Sequence, residues 1–366
     1  MTTFSAFDCA HMARALKLAE RGKYTARPNP KVGCVFVRND SIVGEGWHQV
    51  AGEAHAEINA LESASDQADG ATVYATLEPC AHHGKTPPCA EALIDARVAR
   101  TVVAMQDPFD DVSGRGLEML RSAGIDVQVG LMAAAAAALN EGYISRLTRG
   151  RPFVRLKIAA SIDGAIAMDN GDSQWITGPE AREDVQRQRA RSGAVMTGIG
   201  TVLADDPSLT VRSTELPAAI TQPIRVVLDS HLRMPLSAAM LTLPGTTLLC
   251  YGGDPDPADL VAAGAEVFSS GRNHAQVDVV AVLEELARRE VNDVLVEAGP
   301  ELAGHLLEKR LVDELVIYQS PHIMGSATRR MFETPSLSKL SDRLRLDIVD
   351  VRRIGDDTRI TARLAH

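Results

Sequence analysis

The sequence predicts an α/β protein built from two domains. The chain has 366 residues, more than one hydrophobic core usually serves, and 45% of them are hydrophobic while 23% are charged. Short apolar segments alternate with amphipathic ones along both halves, an order typical of strands and helices in a mixed or parallel sheet. An arginine-rich connector precedes Pro152. We therefore expect one domain at residues 1–148 and a second at residues 149–366.

Charge and cysteine content narrow the class of protein. The net charge of −10 disfavours general affinity for nucleic acid. Five cysteines, an odd number, argue against a disulfide framework and for a reducing compartment. No apolar run reaches the roughly 18 residues of a membrane span, and the first residues lack the basic and apolar regions of a secretory signal. We expect a soluble, cytoplasmic protein without a membrane or nucleic-acid partner.

The elements of the first half follow from hydrophobic periodicity and turn residues. Asp8 is placed to cap a helix that runs to about Glu20. The apolar run at residues 32–37 predicts a buried strand, with a hairpin partner at residues 42–45. Later segments predict helices near 54–63, 89–95 and 116–123 and strands near 71–75, 101–105 and 126–129.

The second half shows the same alternation without repeating the sequence. Thr177 to Glu180 has the pattern of a capping box that opens a helix. Strands are expected at 153–159, 194–197, 224–228, 246–251, 293–297 and 314–318, and helices at 279–288 and 301–308. No full dinucleotide-binding glycine fingerprint follows a strand here, so the glycines at 198, 200 and 299 are weak evidence of a nucleotide site. The last segment, 331–366, is expected to supply closing strands and no chemistry.

His55, Cys80 and Cys89 form a candidate zinc site. One imidazole and two thiolates suit zinc, and three protein ligands leave the fourth position open for water, as in a catalytic site. Glu57 follows His55 by two positions near a predicted helix start, where its carboxylate can take a proton from that water without binding the metal. Each residue alone has a structural explanation, but the joint pattern favours catalysis. Cys34, inside an apolar strand, is expected to be a core residue.

The pattern His-x-Glu followed by Pro-Cys and a later Cys resembles the signature of zinc-dependent deaminases, although eight residues instead of two separate the cysteines. Residues 76–89, Thr-Leu-Glu-Pro-Cys-Ala-His-His-Gly-Lys-Thr-Pro-Pro-Cys, closely resemble the deaminase half of the bifunctional deaminase–reductases of riboflavin biosynthesis. The segments similar to the same family are 29–34 and 44–48 and, for its reductase half, 156–164, 172–177, 198–212 and 296–300.

For the first half, the resemblance implies a cytidine-deaminase-like, three-layer domain that holds one zinc ion. His55, Cys80 and Cys89 match the family's zinc ligands, and Glu57 matches its proton shuttle. The positions expected to contact the pyrimidine or its ribose phosphate are Asn29, His48 and Lys85, with Asp107 as a further candidate. A cationic Lys85 facing a phosphate is chemically reasonable, and a solvated loop lysine is the alternative.

For the second half, the resemblance implies a dihydrofolate-reductase-like domain that uses NADPH. Lys157 and Asp205 are candidates for positioning and protonation at the sugar carbon that accepts hydride. The implied NADPH site consists of Ala159, Trp175, Thr201, Asp205, Ser230, Gly299, Pro300, Glu301, Leu302, Ala303, Gly304 and His305. The implied substrate site consists of Ser173, Arg189, Leu209, Arg212 and Glu297. A solvated helix face is the alternative for the arginines, and a core position is the alternative for Trp175.

The resemblance as a whole implies a bifunctional enzyme of riboflavin biosynthesis. Its first domain would deaminate 2,5-diamino-6-(5-phosphoribosylamino)pyrimidin-4-one with a zinc-held hydroxide, and its second would reduce the ribosyl group of the product to ribityl with NADPH. We also expect a homo-oligomer. A nucleic-acid deaminase would need a basic, aromatic-rich surface, which 4% aromatic residues and an acidic chain disfavour. A regulatory protein with structural zinc would not need Glu57.

Overall fold

Two units, Met1–Gly150 and Arg151–His366, make up the computed structural model. It describes residues 4–81, 88–109, 113–217, 219–271, 276–335 and 338–365. Within these residues, no helix combines the length and the apolar character needed to cross a membrane.

The first unit is built on a five-stranded sheet. Its strands are β1 (Gly33–Arg38), β2 (Ser41–Trp47), β3 (Thr72–Ala75), β4 (Arg100–Val103) and β5 (Asp126–Val129). Its helices are α1 (Ala6–Ala19), α2 (Ala56–Ala64), α3 (Cys89–Asp95), α4 (Arg115–Ser122), α5 (Ala133–Leu139) and α6 (Glu141–Arg149), with 3₁₀ turns at Glu20–Gly22 and Ser65–Ala68. The strand order is β2-β1-β3-β4-β5; β1 is antiparallel to both its neighbours, and β3, β4 and β5 run parallel.

Helices cover both faces of this sheet. Successive side chains along each strand point to opposite faces and pack against these helices. Cys34 and Phe36 of β1 are buried in a cluster that includes residues of α2, α3 and α4. Val35 and Val37 point the other way, into a cluster with α1 and α5. The unit therefore has three layers, and Cys34 is a core residue as predicted.

The N-cap residue of the first helix is Ser5 and not the predicted Asp8. The Ser5 side chain accepts the Asp8 N–H, and the Asp8 carboxylate accepts the Ser5 N–H, which makes Asp8 the third helical residue of a capping box. The buried Asp8 carboxylate also accepts hydrogen bonds from Tyr74 at 2.8 Å and from Arg100 at 2.7 Å. The prediction missed Ser5 because the apolar pattern starts after it.

The second unit is built on a nine-stranded sheet. Its strands are β6 (Phe153–Ser161), β8 (Ala194–Gly198), β9 (Ile224–Leu228), β10 (Thr247–Tyr251), β11 (Glu266–Ser269), β12 (Asp293–Glu297), β13 (Glu314–Ser320), β15 (Leu346–Ile354) and β16 (Asp357–Leu364), and a separate small sheet pairs β7 (Ala165–Met168) with β14 (Thr328–Arg330). Its helices are α7 (Pro179–Arg191), α8 (Ile199–Asp205), α9 (Ala239–Thr242), α10 (Ala258–Ala262), α11 (Val279–Arg288) and α12 (Pro300–Glu308), with a 3₁₀ turn at Leu340–Asp342.

The order of the large sheet places seven parallel strands side by side. The order is β11-β10-β9-β8-β12-β6-β13-β16-β15, and all strands from β11 to β13 run parallel. The carboxyl ends of β9, β8, β12 and β6 therefore meet at one edge, where ligands of open α/β sheets usually bind. The expected closing strands after residue 331 are β15 and β16, which pair antiparallel at the other end of the sheet.

Helix α7 starts differently from the prediction. Gly178 is its N-cap residue and has no side chain to bond the helix, so the predicted capping box of Thr177 and Glu180 is wrong. The carboxylate of Asp357, on β16, accepts the Gly178 N–H at 2.7 Å instead. Pro179 occupies the first helical turn as expected.

Candidate active sites

The three predicted metal ligands lie together in the first unit. Nδ1 of His55 lies 3.3 Å from Sγ of Cys89 and 3.5 Å from Sγ of Cys80, and all three ligand atoms lie within 4.8 Å of one another. Zn–N and Zn–S bonds of about 2.0 and 2.3 Å in a tetrahedron separate the ligand atoms by about 3.5 Å. The residues present therefore fit a zinc ion in both chemistry and spacing.

Local structure brings these ligands together. His55 is the N-cap residue of α2, and Cys89 is the first residue of α3. Cys80 lies in the turn that follows β3, and its sulfur accepts the backbone N–H of Cys89 at 3.3 Å. A hydrogen bond from the Cys89 thiol lowers the pKa of Cys80 to about 4, and the same contact raises the pKa of Cys89, since a first thiolate disfavours a second. A bound cation would remove this repulsion.

Glu57 lies in the first turn of α2 and is buried. Burial, followed by the negative charge of Cys80, raises the pKa of Glu57 to about 7. Glu57 is not part of the group of metal-ligating atoms. A buried carboxyl group with a pKa near neutrality is suited to accept a proton and release it again.

Three predicted substrate contacts can be placed beside or near this group. His48 is buried, its ring meets the His55 ring edge-on with centroids 5.5 Å apart, and Nε2 of His48 lies 3.0 Å from Nδ2 of Asn29. Asp107 is buried after β4, where its carboxylate accepts the Phe109 N–H and the Tyr143 hydroxyl. Burial raises the pKa of Asp107. Lys85 lies outside the described residues.

A half-buried group of charged side chains lies at the carboxyl edge of the second sheet. Glu297 ends β12, and the Arg189 guanidinium on α7 binds its two carboxylate oxygens at 2.6 and 3.0 Å. Lys157 is the neighbour of Glu297 across the β6–β12 pair, and its Nζ lies 4.0 Å from the Glu297 carboxylate. Three predicted residues from distant parts of the sequence therefore form one polar centre.

Burial and the neighbouring charges together shift the pKa values in this centre. Burial lowers the pKa of Lys157, as does the positive charge of Arg189, against the opposing effect of Glu297. Burial alone would raise the pKa of Glu297, but Arg189 and then Lys157 outweigh it and lower that pKa. The positive charge of Arg212 acts on Glu297 in the same direction.

The remaining predicted substrate residues differ in exposure. The backbone N–H of Arg212 donates to Gln186 on α7, and Ser173 is half-buried ahead of the same helix. The side chain of Leu209 is buried in the core with residues of β8 and β9, which leaves its backbone for any contact with a ligand. Trp175 is 69% exposed, with the Arg182 guanidinium 4.9 Å from its ring centre, so the alternative of a core position for Trp175 is wrong.

Most residues predicted for NADPH lie at the carboxyl ends of the parallel strands. Ala159 lies near the end of β6, Thr201 lies in α8 after β8, and Ser230 follows β9. Gly299 is the N-cap residue of α12, and a Cβ at Gly299 or Gly200 would meet no atom within 4 Å. Open space in front of a helix N-terminus suits a phosphate.

Some residues of the predicted NADPH set are less accessible. In the segment that contains Gly299, Pro300, Glu301, Leu302, Ala303, Gly304 and His305, Glu301 and His305 are exposed. Ala303 and Gly304 are buried. The backbone packs so closely at Gly304 that a Cβ there would lie 1.8 Å from the carbonyl oxygen of Glu333. Asp205 is exposed at the end of α8 and, within the described part of the chain, forms no ion pair with Lys157. The Ser230 hydroxyl accepts the Val277 N–H at 3.1 Å.

Comparison with known proteins matches each unit to a family. Residues 5–105 match the family described as the cytidine and deoxycytidylate deaminase zinc-binding region, and residues 152–360 match the RibD C-terminal domain. The riboflavin biosynthesis protein RibD of Escherichia coli strain K12 is 47% identical over 359 residues, which cover 96% of this chain and 97% of that protein. This chain belongs to the RibD family.

Solved structures of RibD-family proteins are similar to this chain over nearly its full length. Form 1 of Acinetobacter baumannii RibD is 42% identical, with a TM-score of 0.93, and the match covers 98% of this chain and 99% of that one. The Thermotoga maritima structure described as a diaminohydroxyphosphoribosylaminopyrimidine deaminase/5-amino-6-(5-phosphoribosylamino)uracil reductase is 32% identical, with a TM-score of 0.86 and the same coverage of 98% and 99%.

Family membership confirms the main predictions. The chain is a bifunctional deaminase and reductase of riboflavin biosynthesis. Its fold combines a deaminase domain of the cytidine deaminase type with a RibD reductase domain of the dihydrofolate-reductase-like fold. The expected cofactors, zinc and NADPH, are those of this deaminase domain and of the RibD reductase.

The sequence prediction missed two side chains of this RibD-family protein. Glu78 is buried and accepts backbone N–H groups from the start of α4 and from Asp107, the latter at 3.2 Å. Tyr143, on α6, donates to the Asp107 carboxylate at 3.1 Å. Glu78 lies in the Thr-Leu-Glu-Pro-Cys segment that carries the family resemblance, and this position could have indicated a role in the site. Tyr143 carries no such signal, because its partner is 36 residues away.

Proposed function

We propose that the first unit deaminates 2,5-diamino-6-(5-phosphoribosylamino)pyrimidin-4-one and that the second unit reduces the ribosyl group of the deaminated product to ribityl with NADPH. The group of His55, Cys80 and Cys89 beside the buried Glu57 is the observation that carries the first activity. The name of the Thermotoga maritima relative supports the substrates. The two activities correspond to residues 1–148 and 149–366, a division supported by the two compact units.

In the deaminase unit, His55, Cys80 and Cys89 would hold zinc. Zinc, when bound, supplies a Lewis acid that lowers the pKa of a water molecule toward neutrality. Glu57 takes the proton of the attacking water on a carboxylate oxygen and delivers it to the amine that leaves as ammonia. Its burial and raised pKa support this role, because the same group must both accept and release the proton.

Substrate binding in this unit is assigned to Asn29, His48 and Lys85, with Asp107 as a further contact. Asn29 and His48 are hydrogen-bonded to each other, and the ring of His48 packs against the ligand His55. Amide and carboxylate groups can accept the N–H groups of an aminopyrimidine. The positive charge of Lys85 suits the ribose phosphate.

In the reductase unit, NADPH supplies a hydride. Hydride adds to the sugar carbon of the ring-opened imine, and Lys157 and Asp205 are assigned to positioning and to the proton that the imine nitrogen takes up; the lowered pKa of Lys157 favours release of its proton. Arg189 and Arg212 bind the sugar phosphate, while Glu297 holds Arg189 in place through its two-oxygen contact. The substrate set also contains Ser173 and Leu209. NADPH is assigned to Ala159, Trp175, Thr201, Asp205, Ser230 and the segment from Gly299 through Pro300, Glu301, Leu302, Ala303 and Gly304 to His305.

A homo-oligomer in the cytoplasm completes the proposal. Strand β15 is the edge of the nine-stranded sheet, and it exposes apolar side chains to solvent: Leu346, Ile348, Val349 and Val351. An exposed apolar edge strand favours pairing with a second copy. All five cysteines are free, which supports a reducing compartment.

Ammonia release and NADPH oxidation, measured on the zinc-loaded and the zinc-stripped chain, test the two activities. With the diaminopyrimidine substrate, we expect both signals to vanish on zinc removal and to return when zinc is restored. With substrate that is already deaminated, NADPH oxidation should not depend on zinc. Ammonia release from the stripped chain would contradict the deaminase assignment, and no oxidation with either substrate would contradict the reductase assignment.

A further inference from the structure

Glu78 is a buried carboxylate immediately before the Pro79–Cys80 turn. Only 3% of its surface is exposed, and within the described residues it pairs with no cationic side chain. A buried carboxylate without hydrogen-bond partners would be strongly unfavourable. The hydrogen-bond donors to the Glu78 carboxylate therefore indicate its role.

These partners are four backbone N–H groups from a different part of the chain. One oxygen accepts from Gly116 at 2.9 Å and from Leu117 at 3.4 Å. The other oxygen accepts from Gly114 at 3.0 Å and from Asp107 at 3.2 Å. Three of the donors belong to the start of α4, where backbone N–H groups lack partners within the helix and the helix dipole favours a negative charge.

A close backbone contact reinforces this attachment. A Cβ on Gly116 would lie 1.9 Å from the carbonyl oxygen of Pro79, so the first turn of α4 rests directly on the turn that leads into Cys80. Any other residue at position 116 would force the two backbones apart. The hydrogen bonds to Glu78 and the missing side chain at Gly116 therefore stabilise the same contact between the Pro79–Cys80 turn and α4.

The contact joins two parts of the deaminase site. Cys80, two positions after Glu78, is a metal ligand in the arrangement described above. Asp107 follows β4, and its N–H is held by the same Glu78 oxygen that accepts from Gly114. Glu78 reaches these donors across 29 to 39 positions of sequence, so the contact links separate loops and not neighbours along the chain.

We propose that Glu78 is a positioning residue of the deaminase: it holds Cys80 and Asp107 in a common frame and thereby sets both the zinc affinity and the KM for the pyrimidine. The inference rests on the deaminase function proposed above. Glu78 is not one of the residues that could hold the metal, and it would act through Cys80 and Asp107. Groups that orient metal ligands from outside the coordination shell typically change metal affinity 10- to 100-fold when mutated.

The test replaces Glu78 by Gln in the full-length chain. The amide keeps the shape but turns an NH₂ group toward N–H donors. We expect zinc affinity, measured by chelator competition, to fall at least about tenfold. The d–d bands of the Co²⁺-loaded protein should shift, the deaminase KM should rise several-fold, and reduction of already deaminated substrate should stay unchanged, because the second unit is untouched.

Asp8→Asn is the matched control. Asp8 is also a buried carboxylate of the first unit, and its partners are Ser5, Tyr74 and Arg100. This variant should lose thermal stability and keep the zinc affinity, the cobalt spectrum and the KM. If Glu78→Gln resembles Asp8→Asn in all three readouts, Glu78 has a purely structural role and the proposal is overturned.

Gly116→Ala disturbs the same contact without removing a charge, and it replaces Glu78→Gln if that chain does not fold. Its added methyl group must displace Pro79, so zinc affinity should fall and the cobalt spectrum should change. Unchanged zinc affinity in this variant would also overturn the proposal. Both metal readouts are independent of turnover. A wild-type chain that binds zinc but releases no ammonia would therefore contradict the deaminase function and leave the metal test of Glu78 intact.

Discussion

The hydrogen bond between His48 and Asn29 has a direction that the backbone fixes. Nδ1 of His48 lies 3.1 Å from the carbonyl oxygen of Ala54, which can only accept, so Nδ1 carries the proton. Nε2 is then an acceptor, and the Asn29 amide nitrogen, 3.0 Å away, is its donor. Burial lowers the pKa of His48 and keeps the ring neutral. The Asn29 carbonyl oxygen is thereby turned away from His48, which is the orientation that the proposed contact with a substrate N–H requires.

This arrangement predicts energetic coupling between Asn29 and His48 in deamination. Asn29→Ala removes the proposed substrate contact, and His48→Phe removes the acceptor that orients the amide. Each variant should lower the deaminase kcat/KM. The double variant should lose less than the sum, with a coupling free energy of about 1 kcal/mol. A double-mutant cycle on ammonia release measures this value, and strictly additive losses would show that His48 does not orient Asn29.

Glu57 is predicted to be required for ammonia release but not for zinc binding. Glu57→Gln removes the group that carries the proton, and a loss of about 10²- to 10⁴-fold in the deaminase kcat is expected. Zinc content and reduction of deaminated substrate should be unchanged. Glu62→Gln, an exposed position of the same helix α2, is the matched control and should behave like the wild type. Deamination by Glu57→Gln at a near-normal rate would remove Glu57 from the mechanism.

Local patterns in the sequence were sufficient to find the cluster of candidate metal ligands but not the contacts that hold it. His55, Cys80 and Cys89 were recognisable because their spacing and the nearby Glu57 define a chemical motif. The roles of Glu78 and Asp357 were not, since their partners are backbone N–H groups 29 to 39 and 179 positions away. Every residue except proline has a backbone N–H, so the residue types in a sequence do not show which of these groups will donate. The predicted N-cap residue of α1 was wrong because Ser5 and Asp8 are both good capping residues.

Lys157 is predicted to act in reduction alone. Lys157→Ala removes the half-buried ammonium group 4.0 Å from Glu297, so NADPH oxidation should slow at saturating substrate while ammonia release is unchanged. A loss of about 10²-fold or more in the reductase kcat is the expected size for a proton-transfer group. Lys309→Ala, at an exposed position after α12, is the control. An unchanged reductase kcat in Lys157→Ala would exclude Lys157 from the chemical step.

Asp8 is predicted to make the first unit sensitive to acid. Burial alone would raise the pKa of Asp8, but hydrogen bonds from Arg100, Ser5 and Tyr74 outweigh it and hold that pKa far below its usual range. A carboxyl group whose pKa is depressed by folding contributes stability above its unfolded value of about 3.9, and this contribution is lost as the pH falls toward the folded value. The free energy of unfolding of the first unit should therefore drop by about 2 kcal/mol more in the wild type than in Asp8→Asn between neutral pH and about pH 2.

Fluorescence of Trp47 can measure this difference in a Trp175→Phe background, because the chain has two tryptophans and only Trp47 lies in the first unit. Urea unfolding at several pH values, with and without Asp8→Asn, gives the two pH profiles. They should converge in acid, since protonation of Asp8 and its replacement by Asn both remove the charge that Arg100 pairs with at 2.7 Å. Parallel profiles would mean that the acid sensitivity of the first unit arises from other carboxyl groups.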